Sequence, residues 1–190
     1  STGYSCKDAF NDLFASCGYK GEKEIFASLS KYKITRIKNN KEFENVYKEM
    51  AKDFNLKTSY NEFVSLYKEI FDKIDYYKDV VEYEVSLKDR CYIGIFSNLT
   101  IFDKERLDKE VDLSKYDYAF LSFEYGLRKP EPEIYKRIQE EVPFKPEDIL
   151  FIDDRKNNVD AAIEMGWNAF QTTGLELDKI KETCDSFLKK

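Results

Sequence analysis

From Cys6 to about Lys88 the apolar positions return every three or four residues: Phe10, Leu13, Phe14 and Cys17; then Phe43, Val46, Tyr47, Met50 and Phe54; then Tyr60, Phe63, Val64, Tyr67, Ile70, Phe71 and Ile74. That period places one apolar stripe on each of a series of helices, so this stretch reads as an all-helical bundle. Turn and capping residues gather at Gly18 to Gly21, around Asn39-Asn40 and from Asn55 to Thr58, which marks the breaks between helices. The aromatic side chains on these stripes are read as core packing.

After Arg90 the pattern changes to short apolar runs separated by amphipathic stretches, as expected for strands alternating with helices in a parallel sheet. The expected strands are 91–96, 118–124, 148–153 and 168–172. The expected helices lie near 101–110, at 132–142 with Ile134, Ile138 and Val142 on one face, and at 157–165, closed by Gly166. The boundaries drawn from this change of period are a helical domain over 5–88 and an α/β core over 89–190.

Strands of a doubly wound parallel sheet present their carboxyl ends along one edge, where ligands bind. That rule brings Ser97-Asn98, the loop carrying Lys129, and Asp153-Asp154 to one rim. Ser97 and Asn98 follow directly on an apolar strand and offer a hydroxyl and an amide to an oxyanion, although Ser-Asn after a strand is also a common turn or cap. Pro130 pushes Lys129 into extended geometry just before a helix, so its ammonium can reach over the strand ends. Arg128 reads as a solvated surface residue. Asp153 and Asp154 close the apolar run Ile149-Leu-Phe-Ile, and two adjacent carboxylates ~4 Å apart repel by about 4 kcal/mol at an effective dielectric of about 20. One of them can cap the helix that begins near Asn157-Asn158, but the tandem asks for a hard cation with few protein ligands, which is magnesium-like.

Composition narrows the chemistry. The chain holds 190 residues, enough to bury a core, and is 42% hydrophobic and 16% aromatic, which excludes disorder. With 31 basic and 37 acidic residues the net charge is -6, which argues against broad binding to nucleic acid or to acidic membranes. Neither a membrane-spanning run nor a secretory leader is read from the chain. Cys6, Cys17, Cys91 and Cys184 have no short paired spacing, so a zinc site or disulfide framework is not expected and a reduced, cytoplasmic setting fits. There is no histidine. Imidazole bases and His-based triads are thereby excluded, leaving carboxylates, lysine and hydroxyls to do any chemistry.

Taken together, Phe96-Ser97-Asn98, Gly126-Leu-Arg-Lys129-Pro-Glu-Pro-Glu-Ile-Tyr135, and Phe151-Ile-Asp153-Asp154 with Asn158-Val-Asp-Ala-Ala162 resemble, in order and spacing, the second, third and fourth motifs of the haloacid dehalogenase-like (HAD) hydrolase superfamily. The resemblance implies a Rossmann-like α/β core with an inserted helical cap, and a nucleophilic aspartate that forms an aspartyl phosphate. It implies that Ser97 and Asn98 hold the phosphoryl group, that Lys129 neutralises it, and that Asp154, helped by Asp153, binds Mg²⁺. The tandem acid points to the phosphatases of the superfamily, since the dehalogenases proper need no metal.

The first motif of that family, an apolar strand ending in Asp-x-Asp, has no counterpart in these 190 residues. Asp72-Lys-Ile-Asp75 comes nearest but sits on a helical stripe, and the opening Ser1 to Phe10 resembles the family's entry into its first cap helix. The expected sheet therefore lacks its central first strand, which is expected to precede residue 1 or to be supplied by another segment or chain, with two rows of backbone donors and acceptors otherwise left unpaired. Two functions follow. One is a Mg²⁺-dependent phosphomonoesterase acting on a small phosphorylated substrate, inactive as the given chain alone. The other is a non-catalytic HAD-like domain that binds a phosphorylated ligand or a partner strand.

Overall fold

A computed structural model describes residues 5–21, 24–74, 76–173 and 176–189. Contacts along the chain divide it into two units, one comprising Ser1–Tyr76, Asn98–Asp112 and Ser122–Gly126, the other Tyr77–Ser97, Leu113–Leu121 and Leu127–Lys190.

The first unit is helical, as the apolar period requires. Helix α1 spans Cys6–Ser16, α2 Ile25–Ser28, α3 Asn40–Phe54 and α4 Tyr60–Phe71, with two short 3₁₀ turns between α2 and α3. Their ends are set by local chemistry. Ser5 and Ser59 each accept the backbone N–H three residues on while Asp8 and Glu62 reach back to the cap's own N–H. Asn39 caps α3 in the same way without the reciprocal bond, and Asn55 ends it in the left-handed region at φ 52°. The stripes then interlock: Phe10 meets Phe71 edge-on at 4.8 Å, Phe14 meets Phe54 at 5.0 Å, and Tyr67 stacks on Phe71 at 3.9 Å. Each fully buried ring of this kind contributes roughly 1.5–3 kcal/mol through removal from water.

The later segments of this unit carry α6, Lys104–Glu110, and α7, Ser122–Tyr125. The buried Asp103 carboxylate accepts from the Thr100 N–H at 2.7 Å, the Thr100 hydroxyl at 2.9 Å and the Tyr67 hydroxyl at 3.1 Å. Ser122, fully buried, accepts the Leu99 N–H at 3.0 Å.

The second unit contains α5 (Lys78–Ser86), strands β1 (Gly94–Ser97), β2 (Tyr118–Leu121), β3 (Leu150–Asp153) and β4 (Asn168–Gln171), and helices α8 (Pro132–Glu141), α9 (Lys156–Glu164) and α10 (Leu177–Phe187). Strands β1 and β2 pair in parallel with Ser97 opposite Leu121, and β3 and β4 pair in parallel with Asp153 opposite Gln171. Below them lies an aromatic layer in which Tyr135 of α8 contacts Phe96 at 5.4 Å, Phe151 at 6.1 Å and Trp167 at 5.5 Å.

The α/β class, the parallel pairing and the helical bundle agree with the sequence pattern; the details differ. The strands are shorter than the apolar runs, because residues at the run ends, such as Cys91 and Tyr92, lie outside the ladder. Among the described residues β1 pairs only with β2 and β3 only with β4, so the strands form two ribbons. Helix α4 ends at Phe71, so Asp72 is its C-cap and Ile74 lies beyond it; Asp75 and the segment Ser1 to Tyr4 lie outside the described residues. Gly166, at φ 83°, follows α9 as its left-handed terminator. The amphipathic α10, with Ile180 and Cys184 buried, has no counterpart in the sequence reading. No helix among the described residues is long and apolar enough to cross a membrane.

Candidate active site

The carboxyl ends of β1 and β3 are the natural place to look, because in parallel strands they expose the last carbonyls and the side chains that follow. Lys129 reaches both. Its ammonium lies 2.5 Å from the Phe96 carbonyl oxygen on β1 and 2.6 Å from Asp153 Oδ2 at the end of β3. The Phe96 and Phe151 rings flank it with centroids 4.6 and 5.2 Å from Nζ. Lys129 precedes α8, whose first residue is Pro132, so the chain enters the helix just past the lysine and holds its stem among these rings.

Lys129 and Asp153 are both buried, their side chains 7% and 6% exposed. Burial works against the lysine's charge and lowers its pKa, with Asp153 opposing that. At Asp153 burial pushes upward, but the Lys129 ammonium, the Arg155 N–H and the Asn158 amide outweigh it and hold the carboxyl below its ordinary value. The contacts account for this: Oδ2 takes the ammonium, while Oδ1 accepts the Arg155 N–H at 2.9 Å and the Asn158 Nδ2–H at 2.8 Å. Charge-assisted bonds of this kind are about twice as strong as neutral ones.

Asp154, the next residue, is exposed. Desolvation of its carboxyl and the neighbouring Asp153 charge raise its pKa, with Arg155 acting in the other direction. Its backbone carbonyl accepts from Gln171 Nε2 at 3.0 Å, at the end of β4. The two acids thus differ: Asp153 is committed to Lys129 and α9, whereas Asp154 carries a charge that its surroundings disfavour and a cation would stabilise. Neither acid is the N-cap residue of α9. Arg155 holds that position without a side-chain bond, and Asp153 reaches the helix start through the Arg155 N–H instead.

Of the residues singled out from the sequence, Lys129, Asp153 and Asp154 come together at the strand ends of the second unit. Ser97 is the last residue of β1, one position past the carbonyl that holds Lys129. Asn98 is joined to Ser97 by the chain and begins a segment of the first unit. Arg128 donates its N–H to Glu131 at 3.2 Å and its Nε–H to the Lys129 carbonyl at 3.4 Å, so it braces the turn before α8. The sequence reading did not assign Asn158 to the site. Its side chain is buried, its Nδ2 holds Asp153, its carbonyl accepts the Tyr135 hydroxyl at 2.9 Å, and its Oδ1 has no partner in the structure. The signal was a polar residue on the first turn of α9, five positions after Asp153.

The chain is similar to known proteins in sequence and in fold. The family model described as haloacid dehalogenase-like hydrolase matches residues 6–166. The chain is 41% identical over 79 residues to a chloroplast flavin mononucleotide hydrolase of Arabidopsis thaliana, covering 41% of this chain and 32% of that protein. It is 28% identical over 108 residues to D-ribitol-5-phosphate phosphatase of Bacteroides thetaiotaomicron, covering 53% of this chain and 52% of that protein. The chain thus spans from about a third to about half of the length of these two relatives. Among solved structures, a HAD family enzyme of Bacteroides thetaiotaomicron, described as a wild-type complex with magnesium and inorganic phosphate, superposes with a TM-score of 0.70. It has 18% sequence identity and covers 90% of this chain and 88% of that one. An L-2-haloacid dehalogenase of Xanthobacter autotrophicus superposes at 0.60 with 13% identity, covering 87% of this chain and 72% of that one. These two likenesses establish the fold.

Proposed function

The chain belongs to the haloacid dehalogenase-like hydrolases, and on that premise we propose that it supplies the phosphate- and metal-binding elements of a Mg²⁺-dependent phosphomonoesterase acting on a small phosphorylated metabolite. The observation that carries the reading is the buried Lys129 ammonium, held between a strand-end carbonyl and Asp153. A cation fixed in a dry environment at the strand ends neutralises an incoming phosphoryl group without the cost of reorganising water. Ser97 and Asn98 donate to the phosphoryl oxygens, and Asp154, helped by Asp153, holds the metal.

The residues present fit magnesium. Asp154 presents an exposed carboxylate destabilised by its neighbour, an oxygen donor of the kind this ion accepts alongside several waters, and among the described residues no group of three acidic, His or Cys side chains gathers that would suit a metal needing more protein ligands. Bound there, the ion supplies charge neutralisation of the phosphoryl oxygens. Asp153, through Asn158 and the Arg155 N–H, keeps Lys129 pointed at the same place. The attacking carboxylate, which forms the aspartyl phosphate, comes in this reading from a strand outside these 190 residues, seated between β1 and β3. The single pairing partner of each strand among the described residues supports that placement. The relatives named for flavin mononucleotide and D-ribitol-5-phosphate, both small phosphate-bearing molecules, support the substrate class. A reduced, cytoplasmic setting belongs to the same reading.

The test is phosphate release from a panel of small phosphomonoesters by the full-length gene product, with Lys129→Ala and Asp154→Asn alongside. Loss of turnover in both variants supports the assignment, and turnover retained in both rejects it. The same paired-edge observation favours a second reading, a non-catalytic domain that accepts a strand from another chain. A full-length product that releases no phosphate from any ester, with or without Mg²⁺, would favour this alternative.

A further inference from the structure

The loop that leaves β1, Ser97-Asn98-Leu99-Thr100, has no regular structure beyond Ser97. Its geometry therefore depends on what anchors it. At Thr100 the anchor is Asp103, which takes both the backbone N–H and the hydroxyl, and whose buried carboxylate is itself bound by Tyr67. At Leu99 it is Ser122. That hydroxyl accepts the Leu99 N–H at 3.0 Å and lies 2.7 Å from the Thr35 carbonyl and 3.0 Å from the Leu99 carbonyl, on a side chain with no exposed surface. A serine hydroxyl has a single proton to give. Donated to the nearer acceptor, it ties Leu99 to the 3₁₀ turn Ile34–Arg36 of the helical region.

We propose that Ser122 is a positioning residue for phosphate binding: through Leu99 it fixes the direction in which Asn98 presents its amide to the phosphoryl oxygens. This rests on the phosphate-binding role of Ser97 and Asn98 set out above. A buried hydroxyl must find partners in any case. What distinguishes this one is that it takes the N–H of the residue next to Asn98 and carries the connection to a segment more than sixty residues earlier in the chain. Removing it leaves the Leu99 N–H without that acceptor and cuts the tie to Thr35.

The experiment compares Ser122→Ala, Asn98→Ala and wild type in the full-length gene product, reading kcat and KM for a small phosphomonoester, the inhibition constant of inorganic phosphate, and hydrogen exchange at the Leu99 amide. Ser122→Ala adds no atoms, and a cooperative thermal transition checks that it folds. The expected result is faster exchange at Leu99, with KM and the phosphate inhibition constant both raised about fivefold, the equivalent of one hydrogen bond, and kcat changed by less than about twofold. Ser122→Thr, which keeps the hydroxyl, restores phosphate affinity. A purely structural role lowers the unfolding temperature without moving either constant. Phosphate affinity lost in Asn98→Ala but kept in Ser122→Ala overturns the role of Ser122 alone; affinity kept in both overturns the phosphate-site reading and Ser122's role with it.

Discussion

Lys129 Nζ and Asp153 Oδ2 face each other at 2.6 Å with almost no solvent around either. A buried pair of this kind gains little over an apolar substitute, but breaking it is costly because the remaining charge stays desolvated. Two half-sheets meet at this ammonium, which also takes the Phe96 carbonyl. The pair therefore belongs to the architecture as much as to the chemistry.

Lys129→Ala is expected to destabilise the protein by about 3–5 kcal/mol, read as a lower denaturant midpoint, and to reduce phosphatase turnover by about a hundredfold or more. Lys129→Arg does not rescue it, since a planar guanidinium does not fit the space of a compact ammonium between two rings. Wild-type stability in Lys129→Ala would rule out the pair's architectural role.

Asp154→Asn is expected to behave in the opposite way. Removing a charge that Asp153 disfavours leaves stability unchanged or slightly raised. In wild type, added Mg²⁺ raises the unfolding temperature by mass action, and chelation reverses it. In the variant that response is lost along with turnover. A Mg²⁺ response of normal size in Asp154→Asn would remove this residue from the metal site.

Asp103 gives a pH test within the first unit. Burial raises its pKa above the ordinary 3.8, and the bonds from Thr100 and Tyr67 offset this only in part. The folded state thus holds the proton more tightly than the unfolded one. This contribution to stability is complete below the unfolded pKa and is lost as pH rises through the folded value. Subtracting the stability of Asp103→Asn from that of wild type is expected to give a difference that falls as pH rises through and above the ordinary carboxylate range. A difference that rises over that range would reverse the sign of the shift.

Asn55 ends α3 at φ 52°, a conformation that costs residues other than Gly, Asn or Asp roughly 1–2 kcal/mol. Asn55→Ala is expected to lower stability by about 1 kcal/mol and Asn55→Gly to leave it equal or higher, measured by urea unfolding.

The residues that announced themselves in the sequence did so through local pattern. The stripes from Phe10 to Phe71 gave the helices, because the helical period is written along the chain. Asp153-Asp154 and Lys129-Pro130 stood out because charges at the end of an apolar run are unusual. Asn158 and Ser122 did not, because a polar residue on a first helical turn is common and its role depends on which partner the fold brings to its side chain. For Asn158 that partner is Asp153, across the turn before α9, and for Ser122 it is Thr35, far earlier in the chain. The strand ends were overextended for a related reason: apolar character continues past the point where the ladder stops. Helix α10 went unread because its stripe is short and diluted by charge.

Trp167 is the chain's sole tryptophan, and it lies buried in the second unit against Tyr135 and Phe151, with its indole N–H bonded to Gln139. Selective excitation of the indole therefore reports from the aromatic floor beneath Lys129, while the Phe- and Tyr-rich helical unit stays dark at that wavelength. The protein carries its own two optical probes: tryptophan emission follows melting of the strand-end region, and far-ultraviolet circular dichroism follows the helices of both units together. If the two signals separate during unfolding, the units come apart independently, with no added label needed to see it.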